Sequence, residues 1–220
     1  MDLKRKILFK SFLLYLGLFI LIQLSSVFSK RYLAEKSALT LAGIWLLLTI
    51  PIYILSKKIK YLNYVYSIFN AVIVGVAIGS YYSIKSVDLH NISFWLLGFC
   101  LAMLLSYQLI AISNRCKKIS LINIILSLIG IATTIYLWVT IGPSMGSYLL
   151  FIMIIYLCFF ISLYFQADDF HYLDIVNFGS LLMFGGVFLI IIIIITEGDG
   201  IEFLDMSWWK DGKKKTWKYS

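Results

Sequence analysis

Charge is scarce in this chain, and acid is scarcer than base. Only 14% of the 220 residues are Asp, Glu, Lys or Arg, with 11 acids against 19 bases. A soluble domain of ordinary composition carries about 25%. The few charges also fall in short clusters rather than being spread along the chain, which excludes an ordinary water-facing surface. Histidine and cysteine are rarer still, with two and three residues. No HExxH pair is present, so a helix-borne zinc hydrolase of that class is excluded. Cys100, Cys116 and Cys158 are odd in number and form no CxxC, and they read as packing residues.

What is abundant is uninterrupted apolar length, with 61% of residues hydrophobic. Charge-free windows run over 11–29, 37–56, 61–84, 91–114, 119–167 and 175–196. At about 1.5 Å of rise per residue, a helix of some 20 residues crosses a hydrocarbon core of roughly 30 Å. The run from Ile119 to Ala167 holds two such crossings. Its break is Gly142-Pro143-Ser144-Met145-Gly146-Ser147, where proline removes a backbone donor and the glycines admit turn dihedrals. Seven spans are therefore expected. Lipid offers no partner for backbone groups, and the runs lack the alternation of a membrane barrel, so the spans must be helical. The fold class is all-α, a polytopic helical membrane protein: residues 1–196 form one transmembrane domain and 197–220 a short polar, basic tail. Lys4-Arg5-Lys6 before an apolar run outlines a secretory signal, but six more spans follow and an uncleaved first helix is expected.

A net charge of +8 suggests nucleic acid in a soluble chain. Here the bases flank apolar spans, where they set topology and attract anionic lipid heads, so the expected partner is the bilayer and not nucleic acid. Lys4, Arg5, Lys6 and Lys10, then Lys57, Lys58 and Lys60, then Arg115, Lys117 and Lys118 fall on one side, against Lys30, Arg31, Lys36 and Lys85 on the other. That imbalance predicts a cytoplasmic N-terminus in a cell inner or plasma membrane. The same scheme leaves the lysine-rich tail outside, unless the last span is a re-entrant hairpin.

Within the spans, Ala71, Gly75 and Gly79 recur every four residues and predict a helix-packing face. Gln23, Asn70, Gln108, Asn123 and Asn177 are polar side chains in apolar runs, and each is expected to find a partner across helices or to line a wet cavity. Trp45, Trp95, Trp138, Tyr81 and Tyr82 lie near span ends, consistent with an interfacial aromatic belt.

One cluster of acids is wedged between two spans. Asp168, Asp169 and Asp174, with His171 among them, lie between the last two spans. Neighbouring acids at a membrane border favour sharing a proton, because burial and like-charge repulsion both oppose full ionisation. Such a cluster is a candidate for gating or for binding an ion; its plain alternative is helix capping at the start of the last span. Three hard ligands leave calcium coordination incomplete, so no dedicated metal site and no cofactor is expected. Ser144 and Ser147 with His171 make a poor hydrolase site, since no nucleophile turn precedes a helix and no oriented base is in place. No enzyme is expected.

Three stretches resemble the Bax inhibitor-1 family, compact seven-helix membrane proteins of similar length. Lys57-Lys58-Ile59-Lys60 with Tyr64-Val65-Tyr66 and Val74-Gly75-Val76-Ala77-Ile78-Gly79 is similar to that family's basic loop and glycine-bearing third helix. Arg115-Cys116-Lys117-Lys118 resembles its basic turn between the fourth and fifth helices. Ile161-Ser162-Leu163-Tyr164-Phe165-Gln166-Ala167-Asp168 resembles the end of its sixth helix, which bears one acid of a carboxylate pair. The resemblance implies a small membrane channel or transporter, a pH-sensitive calcium leak, with Asp168 as the first acid and Asp174 as the candidate second. Calcium or protons are then the implied ions. The alternative is a noncatalytic subunit or immunity-type protein that acts by binding a partner membrane protein.

Overall fold

The computed structural model describes residues 3–33, 35–86, 92–141, 143–166 and 172–195. Asp168, Asp169, His171 and the 197–220 tail lie outside the described residues. Seven helices follow one another: α1 (Leu3–Tyr32), α2 (Glu35–Ser56), α3 (Lys60–Ile84), α4 (Ile92–Ser113), α5 (Cys116–Ile141), α6 (Pro143–Phe165) and α7 (Tyr172–Ile195). No strand occurs among the described residues. Six of the helices are long and apolar enough to cross a membrane, and α2 contributes the shorter apolar stretch Thr40–Ser56. The chain is a multi-pass integral membrane protein.

The turns sit where the sequence places its charges and its proline. Lys58 and Ile59 N–H donate back to Leu55 and Ser56 carbonyls at 3.0 and 3.3 Å, closing α2 beside the basic loop. Between α4 and α5, Asn114 takes a left-handed φ of 56°, a conformation its short polar side chain tolerates, and its N–H caps the Ile110 carbonyl at 3.0 Å. Pro143 opens α6, where the missing N–H costs nothing. The loops 57–59 and 114–115, the start of α1 and the start of α7 lie at one end of the bundle, called here the basic end.

α3 is the hub. It packs most extensively on α1, then on α2 and α7, while α6 joins α7 to α5 and α4 touches its neighbours sparsely. In lipid no hydrophobic force drives helices together, so close packing and polar contacts must. Small residues supply the first. A Cβ built on Gly75 would stand 2.5 Å from the Ile22 carbonyl oxygen and 2.6 Å from Ser25 Cβ, and one on Gly79 would stand 2.7 Å from Ser29 Cβ. The two helix backbones meet there, and Ser29 Oγ crosses to the Val76 carbonyl at 3.0 Å. Ala71, one turn earlier on the same face, is fully buried.

The aromatic residues correct an expectation. Tyr81 and Tyr82 are buried in the bundle rather than set in an interfacial belt: Tyr82 stacks on Tyr148 at 5.5 Å, and Tyr81 packs edge-on to Phe151. Each has a partner from α6 that no pattern along α3 reveals.

Candidate functional site

On α3, Asn63, Ser67 and Asn70 recur every three or four residues and share one face. All three are buried, as are Asn177 and Ser180 on the facing α7. Ser67 Oγ donates to Asn177 Oδ1, and Asn177 Nδ2 donates to Asn63 Oδ1. One helical turn farther in, Asn70 Nδ2 donates to Ser180 Oγ at 3.1 Å. The helix α2 closes the third side. Trp45 Nε1 donates to Asn70 Oδ1 at 2.6 Å, and Thr49 Oγ1 lies 2.9 Å from Tyr66 OH and 3.4 Å from Asn70 Oδ1. Eight side chains from three helices thus form one buried seam of neutral hydrogen bonds. It starts at the basic end, where Lys57 Nζ stands 4.8 Å over the Tyr53 ring, and reaches about 10 Å inward along α3 from Asn63 to Asn70.

Beyond Asn70 the same face of α3 turns apolar. Val74, Ala77 and Ile78 are buried there, and the matching face of α7 continues from Ser180 through Phe184, Val187 and Ile191, all buried. Ile155 and Phe151 of α6 complete the layer. At this depth Tyr15 of α1 ties its hydroxyl to the Ile155 carbonyl at 2.8 Å, leaving no free polar group on that ring. On this face of α3 the next side-chain hydrogen bond lies roughly 16 Å from Asn70, at Tyr81, while on the face toward α1 Ser29 Oγ meets the Val76 carbonyl between them. Tyr81 OH lies 2.7 Å from Ser147 Oγ, and Tyr148 OH donates to Gln23 Oε1 at 2.8 Å. Along the face of α3 that meets α7 the buried side chains are polar, then apolar, then polar.

Of the acids expected to form the site, Asp174 is described. It lies in the first turn of α7, half buried, one turn before Asn177, where a carboxylate is favoured by the positive end of the helix. No group of three or more His, Cys, Asp and Glu residues that could hold a metal ion occurs among the described residues. The seam itself has no titratable carboxylate, thiol or imidazole. Its amides and hydroxyls can offer hydrogen bonds to a neutral or hydrated species.

Four of the five lone polar residues singled out in the sequence find partners across helices: Gln23, Asn70, Asn177 and Asn123. Gln108 does not fit that expectation, because it faces outward on α4. Asn123 belongs to a second cluster, in which its Oδ1 accepts from Tyr156 OH at 2.7 Å and from Ser106 Oγ at 3.1 Å. This triad borders an apolar cleft of 360 Å³ between α4, α5 and α6, lined by Trp95, Phe99, Leu126 and Met153. Asn63, Ser67 and Ser180 were not among the residues singled out; the three-and-four spacing of Asn63, Ser67 and Asn70 was the available signal. No family model matches the chain, and no curated protein or solved structure matches it either.

Proposed function

We propose that this integral membrane protein is a small channel or transporter, described here in a closed state, whose path runs between α3, α6 and α7. The observation that carries the reading is the alternation along the buried core. A polar seam at the basic end and a polar cluster at the far end are separated by an apolar collar of Val74, Ala77, Ile78, Phe184, Val187 and Ile191. A dry constriction between wettable ends closes a path without a plug, because water and ions leave an apolar neck. Opening would part α7 from α3 and let water replace the Asn63–Asn177–Ser67 and Asn70–Ser180 bonds.

Asp174 beside the seam, with Asp168 and Asp169 close in sequence, supports a cation as the passing species and protonation as the gate, since shared protons remove the charge that attracts it. The resemblance to the Bax inhibitor-1 family points the same way and favours calcium. The basic loops support a cytoplasmic N-terminus and, with it, a cytoplasmic position for Asp174. The test is calcium and proton flux into proteoliposomes across a pH series, with the native chain and Asp174→Asn. Flux that depends on pH in the native chain and loses that dependence in the variant is the expected result. Folded protein that passes no ion at any pH overturns the reading.

A further inference from the structure

At the basic end α1, α4 and α5 leave a cavity of 420 Å³ that the path above does not use. Lys4 and Arg5 reach it from the first turn of α1, and Arg115, Lys117 and Lys118 from the start of α5. Bases that only flanked spans would face lipid heads separately. These five instead surround one space from two parts of the chain about a hundred residues apart, and no acid lines it among the described residues. Mutual repulsion of cations around one cavity is relieved by an anion, and two guanidiniums offer planar forks suited to phosphate oxygens.

The backbone adds to this. The left-handed Asn114 starts α5 within two residues of the end of α4, so the positive end of α5 opens at the cavity. The Arg115 N–H is taken by Ser113 Oγ at 3.3 Å, and the first turn of α5 follows at once from Cys116. The floor is apolar, formed by the buried Leu8 and Ile110. Along α5, Asn123 and Ser127 lie seven and eleven residues after Cys116 and share its face, and both line the 360 Å³ apolar cleft. The basic cavity and the apolar cleft thus lie along one face of α5, with Cys116 and Asn123 about 10 Å apart on the helix.

We propose that this cavity binds a phosphate group, carried by an anionic lipid headgroup or by a soluble phosphate compound; the apolar cleft farther along α5 suits an acyl chain and favours the lipid. Binding to the full-length chain in detergent is measured with phosphatidylglycerol, phosphatidylcholine of the same chain length, and inorganic phosphate as probes. Two variants remove equal charge at the same end: Arg115→Gln/Lys118→Gln in the cavity and Lys57→Gln/Lys58→Gln outside it. All these side chains are exposed, and circular dichroism verifies the fold of each variant. The expected result is that phosphatidylglycerol binds, the cavity variant weakens it by roughly tenfold or more, and the outside variant changes it by less than about threefold. Inorganic phosphate that displaces phosphatidylglycerol supports the shared site, and inorganic phosphate that alone shows the same variant dependence assigns it to a soluble compound. Equal loss in both variants, phosphatidylcholine binding as tightly as phosphatidylglycerol, or no binding of any probe overturns the proposal.

Discussion

Asn177 is the residue on which the seam turns. Its amide donates to Asn63 and accepts from Ser67, and both partners are buried. Hydrogen bonds between membrane helices are worth about 0.6 kcal/mol on average and up to about 1.7. Asn177→Leu breaks two and strands their partners, so a loss of about 1–3 kcal/mol is expected, read from the melting temperature in detergent; no change would mean that the seam holds nothing together. Ser120 gives a contrast: its buried hydroxyl meets no regular hydrogen-bond partner among the described residues, only the weakly bonding Cys116 thiol one turn before it. Ser120→Ala is expected to leave stability equal or raise it by a few tenths of a kcal/mol, because it deletes a polar group that gains nothing from burial. The sequence made single polar residues in apolar runs visible, and most of them do find partners. It did not show which ones, since Ser180 and Ser67 each lie 110 residues from Asn70 and Asn177 respectively.

At the scale of the helix, the close approach of α1 and α3 is the element contact most sensitive to one side chain. Gly75→Val puts methyl groups where the Ile22 carbonyl and Ser25 already stand. Overpacking of this kind costs about 1–3 kcal/mol even where neighbours can shift, and here one neighbour is backbone. Gly43→Ala, with nothing within 4 Å of its Cβ, is the control. The expected outcome is a lower melting temperature and folded yield for Gly75→Val and native behaviour for Gly43→Ala. The cysteines report on looser elements: Cys158 is buried between α6 and α7, while Cys100 on α4 and Cys116 on α5 are half exposed. Maleimide labelling of the folded protein in detergent is expected to modify Cys100 and Cys116 well before Cys158; equal rates would contradict the described packing.

Helix number, the break at Pro143 and the glycine spacing were legible in the sequence because each is written in local composition. Charge-free runs mark crossings, proline and clustered bases mark turns, and a four-residue period marks a face. The burial of Tyr81 and Tyr82 and the polar–apolar–polar order of the core were not, because both depend on which faces of α6 and α7 meet α3. Asp168, Asp169 and Asp174 are conspicuous in the sequence through charge alone, whereas the seam is neutral and so leaves no mark in a charge pattern.

For the whole molecule, the central claim is that the apolar collar closes a path. It is tested most directly by wetting the collar. Val74→Asn places a polar group between Asn70 and Tyr81 on the same buried face of α3. Ion flux of this variant in proteoliposomes is compared with that of the native chain and of Leu105→Asn, a substitution on the exposed face of α4. The account expects a constitutive leak for Val74→Asn, weakly dependent on pH, and native flux for Leu105→Asn. A folded Val74→Asn protein that passes no more ions than the native chain would contradict it.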